Sequence, residues 1–132
     1  MRMKTATELS LFLENKPGVL AAACRDLARR KINVEAISVV DHIDHALVRM
    51  VVSDPRKAIH ILESSGALVI ATDLIRIDLG NRAGALAGVA QRLARARVNI
   101  QYLYGSVANG TSASLYLRVD SVPRARRALA RA

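Results

Sequence analysis

Cysteine, tryptophan and phenylalanine are almost missing from this 132-residue chain, which has one, none and one of them respectively. The single Cys24 excludes an intrachain disulfide framework and a multi-cysteine zinc site. Long apolar runs are missing too. Those present are strand-sized and interrupted by charge, well short of the roughly 18 residues a membrane helix needs. Residues 1–7 lack the apolar stretch of a secretory signal, so a cytoplasmic location is expected. Phosphate-cradling and dinucleotide glycine motifs are not found, and no serine, histidine and acid set converges on one chemistry. Neither an enzyme nor a cofactor is expected.

Acidic residues are the other shortage, 11 against 20 Lys and Arg, for a formal net charge of +9. Such a charge invites a nucleic-acid reading. Much of the excess, however, falls at residues 25–31, 92–97 and 124–131, interleaved with apolar residues at helical spacing. That pattern reads as solvated helix faces, and nucleic acid is not the expected partner.

What the chain does have is a repeat. Asn15-Lys16-Pro17-Gly18-Val19-Leu20 returns 66 residues later as Asn81-Arg82-Ala83-Gly84-Ala85-Leu86. Asn33-Val34-Glu35-Ala36 returns at the same displacement as Asn99-Ile100-Gln101-Tyr102. Two copies of one unit therefore fill the chain, and a repeat decides the fold before anything else does. The expected domains are residues 1–72 and 73–132. Units this small fold when they share a core or an interface.

Within the first copy, Leu9, Leu11 and Leu13 alternate as in a strand. Pro17 and Gly18 then break the extended run, and Leu20, Ala23, Cys24, Leu27 and Ala28 form one helical stripe, with Cys24 as a small core residue. Residues 34–40 and 46–52 read as two strands joined by the hairpin connection Asp41-His42-Ile43-Asp44-His45. Asp54-Pro55 starts a second helix that ends before Gly66, and residues 68–70 are a short fourth strand. The order β-α-β-β-α-β is the split βαβ arrangement, an antiparallel sheet with both helices on one face, hence an α+β fold. The second copy repeats each step from residue 74, with turn chemistry at Ala108-Asn109-Gly110. The sequence stops where its fourth strand would begin. Seven core strands are expected, with residues 3–7 available to occupy part of the vacant edge.

Gly18 and Gly84 carry no Cβ, so backbone can approach a ligand there, and N–H groups in a first helical turn favour an anion. Asn15 and Asn81 offer amides at the turn, while Asn33 and Asn99 stand where each helix returns into the next strand. Four amides around two helix N-termini suit a small zwitterion. Asparagine and glycine also serve turns for purely architectural reasons, so the spacing leaves both readings open.

The motif Leu13-Glu14-Asn15-Lys16-Pro17-Gly18-Val19-Leu20 with Asn33-Val34-Glu35-Ala36 resembles the ACT domain, the βαββαβ regulatory module of amino-acid metabolism. Its copy, with Asn81-Arg82-Ala83-Gly84-Ala85-Leu86 and Asn99-Ile100-Gln101-Tyr102-Leu103-Tyr104, is similar. Together they resemble stand-alone proteins made of two ACT domains. The resemblance implies two ferredoxin-like units, the second lacking its last strand, and an allosteric, non-catalytic role. It further implies an amino acid or related metabolite held between ACT units. Carried over by position, the ligand-binding residues are Asn15, Lys16, Pro17, Gly18, Val19 and Leu20, then Asn81, Arg82, Ala83, Gly84, Ala85 and Leu86, with Asn33 and Asn99 secondary. Ala83 departs from the usual proline, which makes the second loop the less rigid of the two. A homodimer is expected from the apolar strand edges, since an open edge must be paired or covered. The alternative is a regulatory subunit of a separate biosynthetic enzyme, of the acetolactate synthase small-subunit type.

Two other clusters carry weaker signals. His42 and His45 could join a carboxylate around zinc or nickel, but two ligands on a turn do not close a site, and the expectation is no metal. Tyr102 and Tyr104 share a strand face next to Tyr116, which reads as aromatic packing rather than a base-stacking platform.

Overall fold

Alternation along the first strand sets the direction of everything that packs on it. In β1 (Arg2–Glu14) Leu9, Leu11 and Leu13 are buried, whereas Phe12 and Glu14 are exposed. The structure, a computed structural model, describes residues 1–107 and 110–130, apart from the side chains of residues 106 and 107. Two compact units divide the chain, one of Thr7–Thr72 and one of Met1–Ala6 with Asp73–Ala132.

In the Thr7–Thr72 unit β1 leads into α1 (Val19–Arg29), β2 (Val34–Asp41), β3 (His45–Val52) and α2 (Pro55–Ser64). β3 pairs antiparallel with both β1 and β2, and the register sets Leu9 beside Met50 and Leu11 beside Val48. These four fully buried residues form a floor on which Leu27 of α1 and Ala58 and Leu62 of α2 close the core. Burying a leucine fully is worth about 1.5–3 kcal/mol, so this side of the sheet fixes which face of each helix turns inward. At the head of α2 the Asp54 carboxylate accepts from the Lys57 N–H at 3.1 Å, and Pro55 takes the first helical position. Gly66, at φ 92°, ends the turn in the left-handed region, as its position predicts.

β4 (Leu68–Gly80) runs through the repeat boundary. The sequence suggests separate strands at residues 68–70 and 74–79, but no Gly or Pro stands between them to break extended backbone, and one strand results. Its opening residues serve the first unit, where Val69 packs on the core. Its remainder begins the second, followed by α3 (Ala85–Arg95), β5 (Ile100–Val107), β6 (Ser112–Val119) and α4 (Val122–Ala130). β6 pairs antiparallel with β4 and β5, with Ile75 and Ile77 facing Leu117 and Leu115. Val89 and Leu93 of α3 and Ala125 and Leu129 of α4 complete the core.

Strand order is β2-β3-β1-β4 in the Thr7–Thr72 unit and β1-β4-β6-β5 in the other. Each is the ferredoxin-like order with helices on one face. The beginning of β1 fills the edge left vacant in the second unit. Met3 packs against that unit's core, and the Arg126 guanidinium donates to the Thr5 hydroxyl at 3.2 Å. No strand follows α4 among the described residues. Of the expected turn at Ala108-Asn109-Gly110, the first two positions lie outside the described residues, and Gly110 has φ 82°.

Candidate functional site

Both repeated turns are built on a glycine in the left-handed region. Gly18 caps α1 at φ 89°, ψ −16°, and Gly84 caps α3 at φ 86°, ψ −11°. A Cβ at either position would meet nothing within 4 Å, so the backbone angle and not crowding demands glycine. No side chain caps either helix and neither has an acidic residue in its first turn, so nothing on the helix itself neutralises the positive end of its dipole.

The asparagines tie each turn to a hairpin. The Asn15 amide donates to the Asp41 carboxylate at 2.6 Å and the Ile43 carbonyl at 3.1 Å, while its backbone N–H donates to the Asp44 carbonyl at 3.3 Å. Asn81 repeats the pattern, its amide donating to the Gly110 carbonyl at 3.1 Å and its backbone N–H to Thr111 at 3.0 Å. Asn33 and Asn99 sit farther along, and the N–H of each is received by a side chain on the next loop, Ser53 Oγ at 2.9 Å and Asp120 Oδ1 at 3.1 Å. All four asparagines are exposed. Asn15 and Asn81 are thereby the braces of the turns, whereas Asn33 and Asn99 are held at the entries to β2 and β5.

Beside the first turn lies a cleft of about 530 Å³ within the Thr7–Thr72 unit. Lys16, Pro17, Gly18 and Val19 line its mouth, and Ala22, Ala23, Leu62 and Ala67 give it an apolar floor. Its polar groups are Glu14, Lys16, Asp26 and Ser65. The Lys16 ammonium donates to Glu14 at 2.8 Å, and this hydrogen bond, then the charge, holds the Glu14 carboxyl below its ordinary value and raises that of Lys16. Asp26 accepts from the Ser65 hydroxyl at 3.3 Å and faces Arg29 at 3.6 Å. Leu20 and Asn33 are not among the lining residues. Asp26 and Ser65 escaped the sequence reading because they lie off the apolar stripe and 39 residues apart. A signal was present in the repeat, since the copy replaces Asp26 with Arg92.

The second turn keeps its backbone and loses that chemistry. Gly80 stands where the first has Glu14, Ala83 where it has Pro17, and Arg92 where it has Asp26. Arg92 donates to the Leu129 carbonyl at 3.0 Å. Arg82 and Leu86 are exposed and Ala85 is half-buried.

His42 and His45 stack, with ring centroids 5.5 Å apart and planes at 19°, and Phe12 lies 6.1 Å from His45. Asp41, the carboxylate beside them, already accepts from Asn15 and from the Ile43 N–H at 2.7 Å. Among the described residues no three His, Cys, Asp or Glu side chains form a group that could hold a metal ion. Cys24 is free and half-buried. Tyr104 and Tyr116 stack at 5.7 Å, and Arg76 lies 5.7 Å over the Tyr116 ring.

A family model described as an ACT domain pair matches residues 4–131. Among solved structures, a protein from Bacteroides thetaiotaomicron is 34% identical, superposes with a TM-score of 0.91, and the match covers 97% of this chain and 88% of that one. The regulatory subunit of aspartate kinase from Thermus thermophilus, in a ligand-free form, is 18% identical at a TM-score of 0.69, covering 98% and 95%. Its counterpart from Thermus flavus is 19% identical at 0.67, covering 98% and 94%. No curated protein matches this chain. Among the described residues, no helix is long and apolar enough to cross a membrane.

Proposed function

The chain belongs to the ACT domain pair family, and from that premise we propose that it is a non-catalytic regulatory protein that binds an amino acid at the first turn. The observation that carries this reading is the cleft of about 530 Å³ at the head of α1, apolar below and polar at its rim. The Lys16 ammonium and the positive end of α1 at Gly18 receive the ligand carboxylate, Asp26 and Glu14 receive its ammonium, and Ala22, Ala23 and Leu62 accept an aliphatic side chain. Lys16, Pro17, Gly18 and Val19 shape the entrance, and Asn15 braces the turn that carries them, while Leu20 and Asn33 support it from outside the cleft. In the copy Arg92 replaces the acid, so residues 81–86 and Asn99 form a weaker site or none.

Regulation follows from differential binding, because a ligand shifts an equilibrium only by its difference in affinity for the two states. The output passes to a second copy or to a separate enzyme. A homodimer is supported by β2, an edge strand with exposed Ile37, Val39 and Val40. Only monomer in analytical ultracentrifugation at micromolar concentration would remove the dimer. The structures similar in fold include regulatory subunits of aspartate kinase, which favours a separate enzyme of amino-acid biosynthesis as partner. Co-purification with a larger subunit tests that second reading.

A thermal-shift screen of the common amino acids tests the main one. A ligand at 100 times its dissociation constant adds about 2.7 kcal/mol. Ala22→Leu fills the cleft while keeping a good helix former, and should abolish the response. The reading falls if no amino acid raises the melting temperature, or if this variant responds like the parent.

A further inference from the structure

The excess positive charge is confined to one unit. Met1–Ala6 with Asp73–Ala132 contains 12 Lys and Arg against Asp73, Asp78 and Asp120, a net charge of 12 − 3 = +9. Thr7–Thr72 contains eight of each sign and is neutral. Basic residues at helical spacing occur in both units, but only in the Asp73–Ala132 unit are they left without matching acids.

Within the basic unit the three carboxylates cannot neutralise twelve cations. Asp78 is engaged by Arg76 at 3.2 Å and by Ser114 at 2.7 Å, and Asp120 accepts from Asn99. Asp73 stands with Arg126 and Arg127 at a hollow by the start of α4. The helices and the turns after them carry Arg92, Arg95, Arg97, Arg124, Arg126 and Arg127. Several of these head groups are held by neutral acceptors, which order a guanidinium without cancelling its charge. Arg92 donates to the Leu129 carbonyl, Arg124 to the Ala96 and Arg97 carbonyls at 2.6 and 3.1 Å, and Arg126 to Thr5. The first two pairs also tie α3 to α4, so the cations belong to one braced surface.

We propose that this surface of α3 and α4 binds the phosphate backbone of a nucleic acid without reading its sequence. A protein partner would need an apolar anchor at the centre of the contact. Among the described residues, the exposed large apolar ones of this unit are Met1, Leu86 and Leu103, and none interrupts the arginines of α4 or the second half of α3. A sugar-phosphate chain needs no such anchor, and protein–nucleic acid interfaces are strongly positive and polar. Base stacking on the sheet is not part of the contact, because Tyr116 is buried and already stacked on Tyr104.

Fluorescence anisotropy of the full chain with labelled duplex DNA and duplex RNA, from 50 to 200 mM salt, is the test. Binding to at least one duplex should weaken linearly on a log–log plot with salt. Replacing the exposed Arg95 and Arg127 by alanine should cost about tenfold or more at the lowest salt and reduce the slope by about 2. The lysine double variant should bind as the parent does. Removing Arg25 and Arg56 from the neutral unit should change binding less than twofold. No binding at 50 mM salt overturns the proposal, as do equal losses from both arginine pairs. Polyglutamate binding as tight as either duplex overturns it too, by pointing to an acidic protein.

Discussion

The turn at residues 15–20 and its copy at residues 81–86 agree in backbone to within a few degrees at the capping glycine, yet differ in residues that line the cleft beside the first. Glu14, Pro17 and Asp26 become Gly80, Ala83 and Arg92. The braces survive this drift, since Asn15 and Asn81 still donate to the opposite hairpin. Backbone geometry is therefore common property of the two units, and chemistry belongs to one. The charge partition runs the same way, with the cleft beside the first turn in the neutral unit and the cationic face in the other.

Equal architecture predicts equal core losses. Leu27 and Leu93 occupy matching positions and are fully buried, so Leu27→Ala and Leu93→Ala should each cost about 2–5 kcal/mol in denaturant unfolding. A difference larger than the spread of repeat measurements would mean the two cores are not alike. The braces should differ more. Asn15→Ala loses two amide hydrogen bonds and should cost about 1–2 kcal/mol, whereas Asn81→Ala loses the amide bond to the Gly110 carbonyl and should cost about 1 kcal/mol or less.

The hairpin tips invert the expected direction. Ile43 has φ 68°, which a β-branched residue tolerates poorly, and the matching Gly110 has φ 82°. Ile43→Gly should therefore raise stability by up to about 1 kcal/mol, while Gly110→Ile should lower it, both read as melting-temperature shifts.

The smallest effect concerns the helix-free side of the sheet, where Asp78 of the second unit matches Phe12 of the first. Burial acts to raise the Asp78 pKa, but hydrogen bonds from Ser114 and Arg76 and the charges of Arg76 and Arg2 outweigh it, leaving the carboxyl below its ordinary 3.8. A depressed folded-state pKa contributes stability above the unfolded value and loses it as pH falls through the folded one. The parent should therefore lose a small advantage over Asp78→Asn between about pH 4 and more acid values, and a constant difference across that range would contradict the assignment.

Much of this was legible in the sequence because repeats and periods are local. The leucine alternation, the Asp54-Pro55 helix start and the glycines 66 residues apart each specify backbone by themselves, and the structure places them accordingly. The joined strand β4 and the return of residues 2–6 to the second unit were harder to read. Nothing local marks the absence of a break, and the vacant edge is filled from the far end of the chain. The cleft was harder still. Phe12, Asp26 and Ser65 come together only when β1, α1 and the end of α2 pack, and a polar residue off an apolar stripe looks like ordinary surface.

Calorimetric titration with the amino acid that gives the largest thermal shift tests the central claim most directly. One site per chain is predicted, with affinity reduced at least tenfold by Asp26→Asn and unchanged by Arg92→Gln. Two equal sites, or a loss with Arg92→Gln as large as with Asp26→Asn, would contradict the account.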